Sequence, residues 1–165
     1  MTITPPSPVG SSAPETVHRG VDDLPFVKLP DGTELQVVQV DLATGIWVLR
    51  TKFHPGTTLQ RHRHTGQVYA FTETGHWYYL ESPTEQNSSG SYLFEPAGSV
   101  HTLHVPESNT EVTLVSFAIW GANLNLDDDD NVISVTDAHS VLHSYRRLCE
   151  EQYGLVDAPV IVVGL

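Results

Sequence analysis

His62-Arg63-His64 lies in a stretch, Gly56 to His104, that also carries His76, His101 and His104 of the chain's nine histidines. On a β-strand, residues two apart project from one face, about 6.5 Å apart along the chain. Two imidazoles so placed can converge on one metal ion, as two histidines at i and i+4 can on a helix. A third ligand must come from elsewhere, and the sequence offers His101, just after the turn Pro96-Ala97-Gly98-Ser99. Imidazole suits Fe, Zn, Cu and Ni, so this ligand type does not select the metal. Glu95 stands one residue before the same turn. It reads either as a solvated rim carboxylate or as a base that removes a substrate's proton beside the metal. If it points inward against an apolar wall, burial raises its pKa towards neutrality.

The other candidates have plainer readings. His104, three residues after His101, faces the other way on a continuous strand. His76 opens a strand just after a turn and reads as a surface residue. Glu81 ends that strand and faces either in or out. Arg61 and Gln67 flank the histidine pair and either orient a substrate or face solvent. His18, His54, His139 and His143 read as solvated. Tyr69, Phe71, Trp77, Tyr79, Phe117 and Trp120 read mainly as core or interface, with some of them lining the pocket. The acidic run Asp127 to Asp130 lacks the alternating ligands and terminal Glu of a calcium loop and reads as a solvated turn.

The elements that must position these residues are short strands. Glu34 to Leu42 and Ile46 to Phe53 are rich in Val, Leu and Ile and are split by Ala43-Thr44-Gly45. Further strands are expected at Leu59 to His64, Gln67 to Thr72, His76 to Glu81, Ser91 to Glu95, Val100 to Val105 and Glu111 to Trp120. Asn123 to Leu126 and Val132 to Val135 flank the acidic turn. Turn signals recur about every ten residues, the pattern of an all-β sandwich or barrel. Asp137 caps a helix running to Tyr153, with Gly154 as its C′ residue and Val141, Leu142, Tyr145, Leu148 and Cys149 as its apolar stripe. Val21 to Pro30 reads as an irregular lead-in and Ser82 to Gly90 as a loop.

Length and composition bound the function. The 165 residues make one domain, with 1–20 a disordered tail rich in Pro, Ser and Thr and 21–165 the folded unit. The net charge of −12 argues against nucleic acid and anionic membranes as partners. No apolar run reaches the length of about 18 residues that a membrane span needs. The N-terminus has neither the basic start nor the apolar core of a secretory signal. The single cysteine, Cys149, allows no intramolecular disulfide and suits a cytoplasmic location. On the helix's apolar stripe it reads as a buried thiol rather than a nucleophile.

Two motifs carry a resemblance to the cupins. Gly56, His62-Arg63-His64 and Gly75 stand at the spacing of the first cupin motif, and Gly90, Pro96-Ala97-Gly98 and His101 at that of the second. Two slots depart: Val68 stands where the first motif has Glu, and Val105 where the second has Asn. The runs RHRHTGQVYAF, EPAGSVHTL and GANLNLDDDDNVISVTDAHSVLHSYRRLCEE further resemble the small single-domain cupins of the 2,4′-dihydroxyacetophenone dioxygenase family. The acetylacetone-cleaving dioxygenases are similar at a greater distance. This resemblance implies a jelly-roll β-barrel with a C-terminal helix, Fe(II) held by His62, His64 and His101, and O₂-dependent cleavage of a carbon–carbon bond beside a carbonyl, yielding two acids. The substrate implied is a small α-hydroxyketone. Without the motif Glu, the expected ligand set is three neutral histidines. Such a set favours an anionic bidentate enolate, with Val68 making the cavity more apolar. Glu95 is the candidate for proton transfer.

Other readings stay open: a β-diketone-cleaving dioxygenase, a non-catalytic metal- or ligand-binding sensor cupin, a metal-dependent isomerase, or a thiol dioxygenase. The last expects a Ser-His-Tyr arrangement that cannot be traced in this chain. Both faces of Val68 to Thr72 and of Val112 to Trp120 carry apolar residues, too many for one barrel interior, so a homodimer is expected.

Overall fold

The structure is a computed structural model and describes residues 15 to 164. Most of the expected tail, residues 1–14, lies outside the described residues. Fourteen strands and one helix follow in chain order: β1 (Val27–Lys28), β2 (Glu34–Asp41), β3 (Ile46–Phe53), β4 (His62–His64), β5 (Val68–Thr74), β6 (His76–Tyr79), β7 (Asn87–Ser88), β8 (Tyr92–Glu95), β9 (Val100–His101), β10 (Leu103–His104), β11 (Thr113–Trp120), β12 (Asn123–Leu126), β13 (Val132–Thr136), α1 (Ala138–Tyr153) and β14 (Ile161–Val163).

A seven-stranded sheet runs β1-β2-β3-β11-β5-β8, with β14 added beside β2. The three candidate ligand histidines sit on a four-stranded sheet, β13-β12-β4-β9, beside the sheet β10-β6-β7, and Glu95 ends β8 at the edge of the large sheet. The large sheet forms because its strands alternate cleanly. Trp47, Leu49, Thr51 and Phe53 of β3 face inward, as do Thr113, Val115, Phe117 and Ile119 of β11. Each large apolar side chain buried in this way contributes about 1.5–3 kcal/mol relative to leaving it exposed. Phe53 meets Phe117 edge to face, ring centroids 6.5 Å apart. Gly75 joins β5 to β6 at φ 72°, and a Cβ there would collide with Thr113. That first-motif glycine is therefore required twice, by conformation and by space.

Helix α1 forms where the sequence places it. Asp137 accepts from the Ser140 amide at 2.8 Å while the Ser140 hydroxyl accepts from the Asp137 amide, a reciprocal cap. Gly154 ends the helix in the left-handed region, φ 67°. Ala138, Val141, Leu142, Tyr145 and Cys149 are buried against β1 and β2, and burial pushes the Cys149 thiol up, in keeping with an inert packing role.

Several expected strands are shorter than their sequence suggests because the chain changes partner within them. Leu59 bonds to Leu103, whereas His62–His64 pair with β12 and β9, so only the last three residues form a ladder. Val100 to Val105 splits at Thr102, whose amide donates to the Glu81 carboxylate instead of to a strand. Strands β1, β7 and β14 fall in segments read as irregular or left unassigned. They are two or three residues long, and pairing alone defines them.

Candidate metal centre

His62 and His64, two apart on β4, point into the interior, 6% and 4% exposed. His101 is the cross-strand partner of His62 in the β4–β9 ladder and is equally buried. The three rings lie 4.8 to 5.2 Å apart, and one ligating atom from each lies within 4.8 Å of the others. The two predicted neighbours on β4 and the distant His101 are thus brought together. His62 Nδ1 is 2.8 Å from the Gln60 carbonyl. A carbonyl only accepts, so Nδ1 carries the proton and Nε2 is left as the free lone pair.

Strand register adds a fourth group. Glu95 of β8 pairs directly with Val68 of β5. Glu95 thus stands beside the histidine cluster, while the group that could hold an ion is the expected His62, His64 and His101. Glu95 is 3% exposed, and its Oε2 lies 3.1 Å from His64 Nε2 and 3.2 Å from His101 Nε2. Tyr79 donates its hydroxyl to Glu95 Oε1 and stacks its ring on His101, centroids 3.9 Å apart and 14° from parallel. One tyrosine fixes both the carboxylate and an imidazole.

The electrostatics follow from burial. Burial pushes His62 down and His64 down to about 4, so both are neutral at physiological pH. Burial together with the adjoining Glu95 charge pushes the Tyr79 phenol well up, so it stays a donor. For Glu95, burial acts upward, but the His101 and His64 imidazoles and the Tyr79 hydroxyl outweigh it and hold the carboxyl below its ordinary value. The pKa expected from an apolar wall is thus corrected in sign: the wall beside Glu95 is made of polar rings.

The donor set fits a divalent ion. His101 Nε2, one of the cluster's ring nitrogens, is buried without a hydrogen-bond partner. Buried orphans of this kind are costly. The three imidazoles, each with one ligand atom within 4.8 Å of the others, are the set that would hold the ion.

The residues 14–118 match the family model described as the ChrR cupin-like domain. The chain belongs to this family. A cupin-fold protein of unknown function from Ralstonia eutropha JMP134 is 32% identical, with TM-score 0.81 over 93% of this chain and 95% of the other. An acetylacetone dioxygenase from Acinetobacter johnsonii shares the fold at 18% identity, with TM-score 0.70 over 82% and 93%. The anti-sigma ChrR, in complex with SigE from Rhodobacter sphaeroides, does so at 14% identity, with TM-score 0.51 over 61% and 52%. No curated protein matches.

Within this cupin a cavity of about 490 Å³ opens onto His62, His64, Glu95 and Tyr79. One wall is apolar, with Leu35, Leu49, Phe53, Leu103, Phe117 and Ile119. Val68 is buried but does not line the cavity. His104 turns away to bond Thr58 Oγ1 at 2.7 Å, and His76 lies outside the cavity near Asn109. Glu81 and Arg61 bond to each other at 3.0 Å beside the site. Tyr79 was legible only as one of six aromatics read mainly as core or interface, some of them lining the pocket. Gln60, Asn123 and Asn125 line the cavity with no motif to mark them. Among the described residues, no helix is long and apolar enough to cross a membrane.

Proposed function

We propose that this cupin is an Fe(II)-dependent dioxygenase that cleaves the carbon–carbon bond of a small α-hydroxyketone beside its carbonyl. The overall change is R–CO–CH₂OH + O₂ → R–COOH + HCOOH. His62, His64 and His101 would hold the iron, with the Glu95 carboxylate against two of them. Bound iron supplies Lewis acidity to the substrate's two oxygens and the redox chemistry for O₂.

The observation that carries the reading is the placement of Glu95: a buried, ionised carboxylate at the ligand cluster, facing a cavity with room for an organic body. Its Oε1 is engaged by Tyr79, which leaves Oε2 as the atom that takes the proton when the substrate becomes an enolate. Tyr79 also holds the His101 ring in place. The apolar wall seats the substrate's body and excludes water from the enolate. The resemblance in the motif runs and the fold shared with an acetylacetone dioxygenase support the same reaction class.

The test is anaerobic iron loading followed by O₂ consumption with a panel of α-hydroxyketones and β-diketones. One O₂ per ketone and two acids from the hydroxyketone are expected. Preference for a β-diketone would move the substrate class while keeping the reaction type. A second reading, a metal-binding sensor domain, is favoured by the family's name and by the fold shared with the anti-sigma ChrR. Tight metal binding with no O₂ uptake across the whole panel would replace the dioxygenase reading by that one.

A further inference from the structure

Tyr79 carries a group that positioning alone does not need. Its ring lies flat on the His101 imidazole, centroids 3.9 Å apart and 14° from parallel. A phenylalanine would stack in the same way. The hydroxyl adds a proton donor that is already joined to the Glu95 carboxylate through Oε1. Tyr145 and Tyr153 instead donate to the backbone carbonyls of Pro25 and Phe26. Among the described residues, Tyr79 is thus the tyrosine bonded to a carboxylate, and it also lines the cavity.

That pairing suits the loss of an electron. An oxidised phenol is a strong acid, so a tyrosine is oxidised readily only where its proton can leave at the same time. A carboxylate accepts that proton, whereas a carbonyl or a hydroxyl is a far poorer base. Trp77 is the next oxidisable ring, 5.2 Å from Tyr79 and fully buried. Its Nε1 donates to the Thr72 hydroxyl at 2.9 Å, which is no base, so an electron vacancy shared by the two rings settles on Tyr79. Sulfur offers no substitute sink at the cavity. The single cysteine, Cys149, is buried on α1 and does not line it. An oxidant formed at the histidine cluster therefore meets the imidazoles and Tyr79 first.

Resting on the part of the proposed function that puts iron on these histidines, we propose that Tyr79 is a redox guard. When hydrogen peroxide reaches the iron-loaded protein with no substrate bound, Tyr79 is oxidised in place of the ligand histidines. Iron(II), hydrogen peroxide, the phenol and the Glu95 carboxylate become iron(III), a phenoxyl radical, the neutral Glu95 acid and two hydroxide ions. The peroxide O–O bond breaks and takes two electrons, one from the iron and one from Tyr79. The Tyr79 O–H bond breaks, and its proton goes to Glu95 Oε1, the atom it already faces. The two Glu95 oxygens thus have separate tasks, Oε1 towards Tyr79 and Oε2 towards His64 and His101. A phenoxyl radical on the cavity wall is repaired by a small reductant that returns a hydrogen atom. An imidazole that has gained oxygen is not.

The experiment mixes the iron-loaded, substrate-free protein anaerobically with one equivalent of hydrogen peroxide and freezes it for electron paramagnetic resonance. A parallel sample is digested, and its peptides are weighed for oxygen added at His62, His64 and His101. The parent should show a tyrosyl radical and little oxygen on the ligand histidines. Ascorbate added before freezing should erase the radical and leave the Tyr79 peptide at its unmodified mass. Tyr79→Phe keeps the stacked ring and should lose the radical while its ligand histidines gain oxygen. Glu95→Gln keeps a hydrogen-bond partner for Tyr79 but removes the proton acceptor, so it too should lose the radical. That variant carries the test should the phenylalanine variant fail to fold. Trp77→Phe should retain the signal. A parent with no radical or with a tryptophanyl one, a radical undiminished in the folded variants at Tyr79 or Glu95, or ligand histidines no more oxidised in Tyr79→Phe than in the parent would each overturn the inference. A Tyr79 radical in a protein that consumes no O₂ with any ketone would leave the guard standing and remove the dioxygenase reading. O₂ consumption by a protein that forms no radical would do the reverse.

Discussion

Glu95 shows how far residue-level reading reaches. Alternation through Tyr92, Leu93, Phe94 and Glu95 puts Leu93 and Glu95 on one face and Tyr92 and Phe94 on the other, and the structure turns the first inward: Tyr92 and Phe94 are exposed and Glu95 is buried. The pairing of Glu95 with Val68 was not legible, because register depends on long-range strand matching rather than on local pattern. It places a carboxylate against two of the three histidines. Glu95→Gln is expected to preserve fold and bound iron and to lower kcat at least about tenfold. Because the neighbouring imidazoles and Tyr79 hold Glu95 below its ordinary value, it is ionised throughout about pH 6 to 9, so the parent's kcat should show no limb from Glu95 in that range. Equal turnover by parent and variant would remove Glu95 from the proton path. His64 makes a separate, metal-free prediction. Its pKa falls from 6.5 in the unfolded chain to about 4 in the folded one. The unfolded state therefore binds the extra proton between those values, and stability present above pH 6.5 is lost as pH falls towards 4. Thermal unfolding of the metal-free protein should show this decline, and His64→Gln should make it shallower. An unchanged pH slope would mean that His64 is not held neutral by the fold.

At the scale of elements, the strands that alternate over eight residues were legible almost to the residue, as was α1 with both caps. The short ones were not, because segments of two or three residues carry no period and owe their form to whichever neighbour pairs with them. The same holds for what fixes the ligand strands to one another. Glu81 sits at the end of the β6 run, and its carboxylate accepts from Arg61 Nη1 at 3.0 Å, from the Thr102 amide at 2.8 Å and from the Thr102 hydroxyl at 3.0 Å. Arg61 immediately precedes His62, and Thr102 immediately follows His101. Arg61 also reaches Asp130 at 2.9 Å, so one residue of the acidic turn helps to orient the arginine while Asp127 caps the turn itself. As an isolated surface ion pair, Arg61–Glu81 would contribute little, about 0–1 kcal/mol. Its effect is geometric: it clamps the two segments that carry the histidines. Glu81→Ala should leave thermal stability of the metal-free protein within about 1 kcal/mol yet weaken metal binding about tenfold to a hundredfold, as removal of outer-shell support does. Undiminished metal affinity in a folded Glu81→Ala protein would show that the ladder alone sets the ligand spacing.

At the scale of the molecule, one face carries an aromatic cluster that a lone barrel does not account for. The outer face of β5 and β8 carries Phe71, Tyr92 and Phe94 at 53%, 55% and 48% exposure. Tyr69 joins them, 5.6 Å from Phe94 and 5.3 Å from Trp120, and Phe71 lies 5.2 Å from Tyr92. The barrel interior was legible from alternation because one face of each strand is apolar. This outer cluster was legible as well, since here both faces are. Contiguous exposed aromatics mark a contact surface, and aromatic side chains are enriched in interface cores. The expected state is a homodimer joined through this face, with a solution mass twice the 18.2 kDa of the chain. Each chain carries a net charge of −12, so bringing two together is opposed by long-range repulsion that salt screens within about 10 Å at 0.1 M. Dimer formation should therefore strengthen as ionic strength rises, the opposite of an interface held by ion pairs. Phe71→Ser combined with Tyr92→Ser changes two outward side chains remote from the inward phase of Glu95. It should give a monomer that still binds metal. Light scattering at micromolar concentration would decide the matter: a parent protein of single-chain mass at both low and high salt would show that the aromatic face serves some partner other than a second copy.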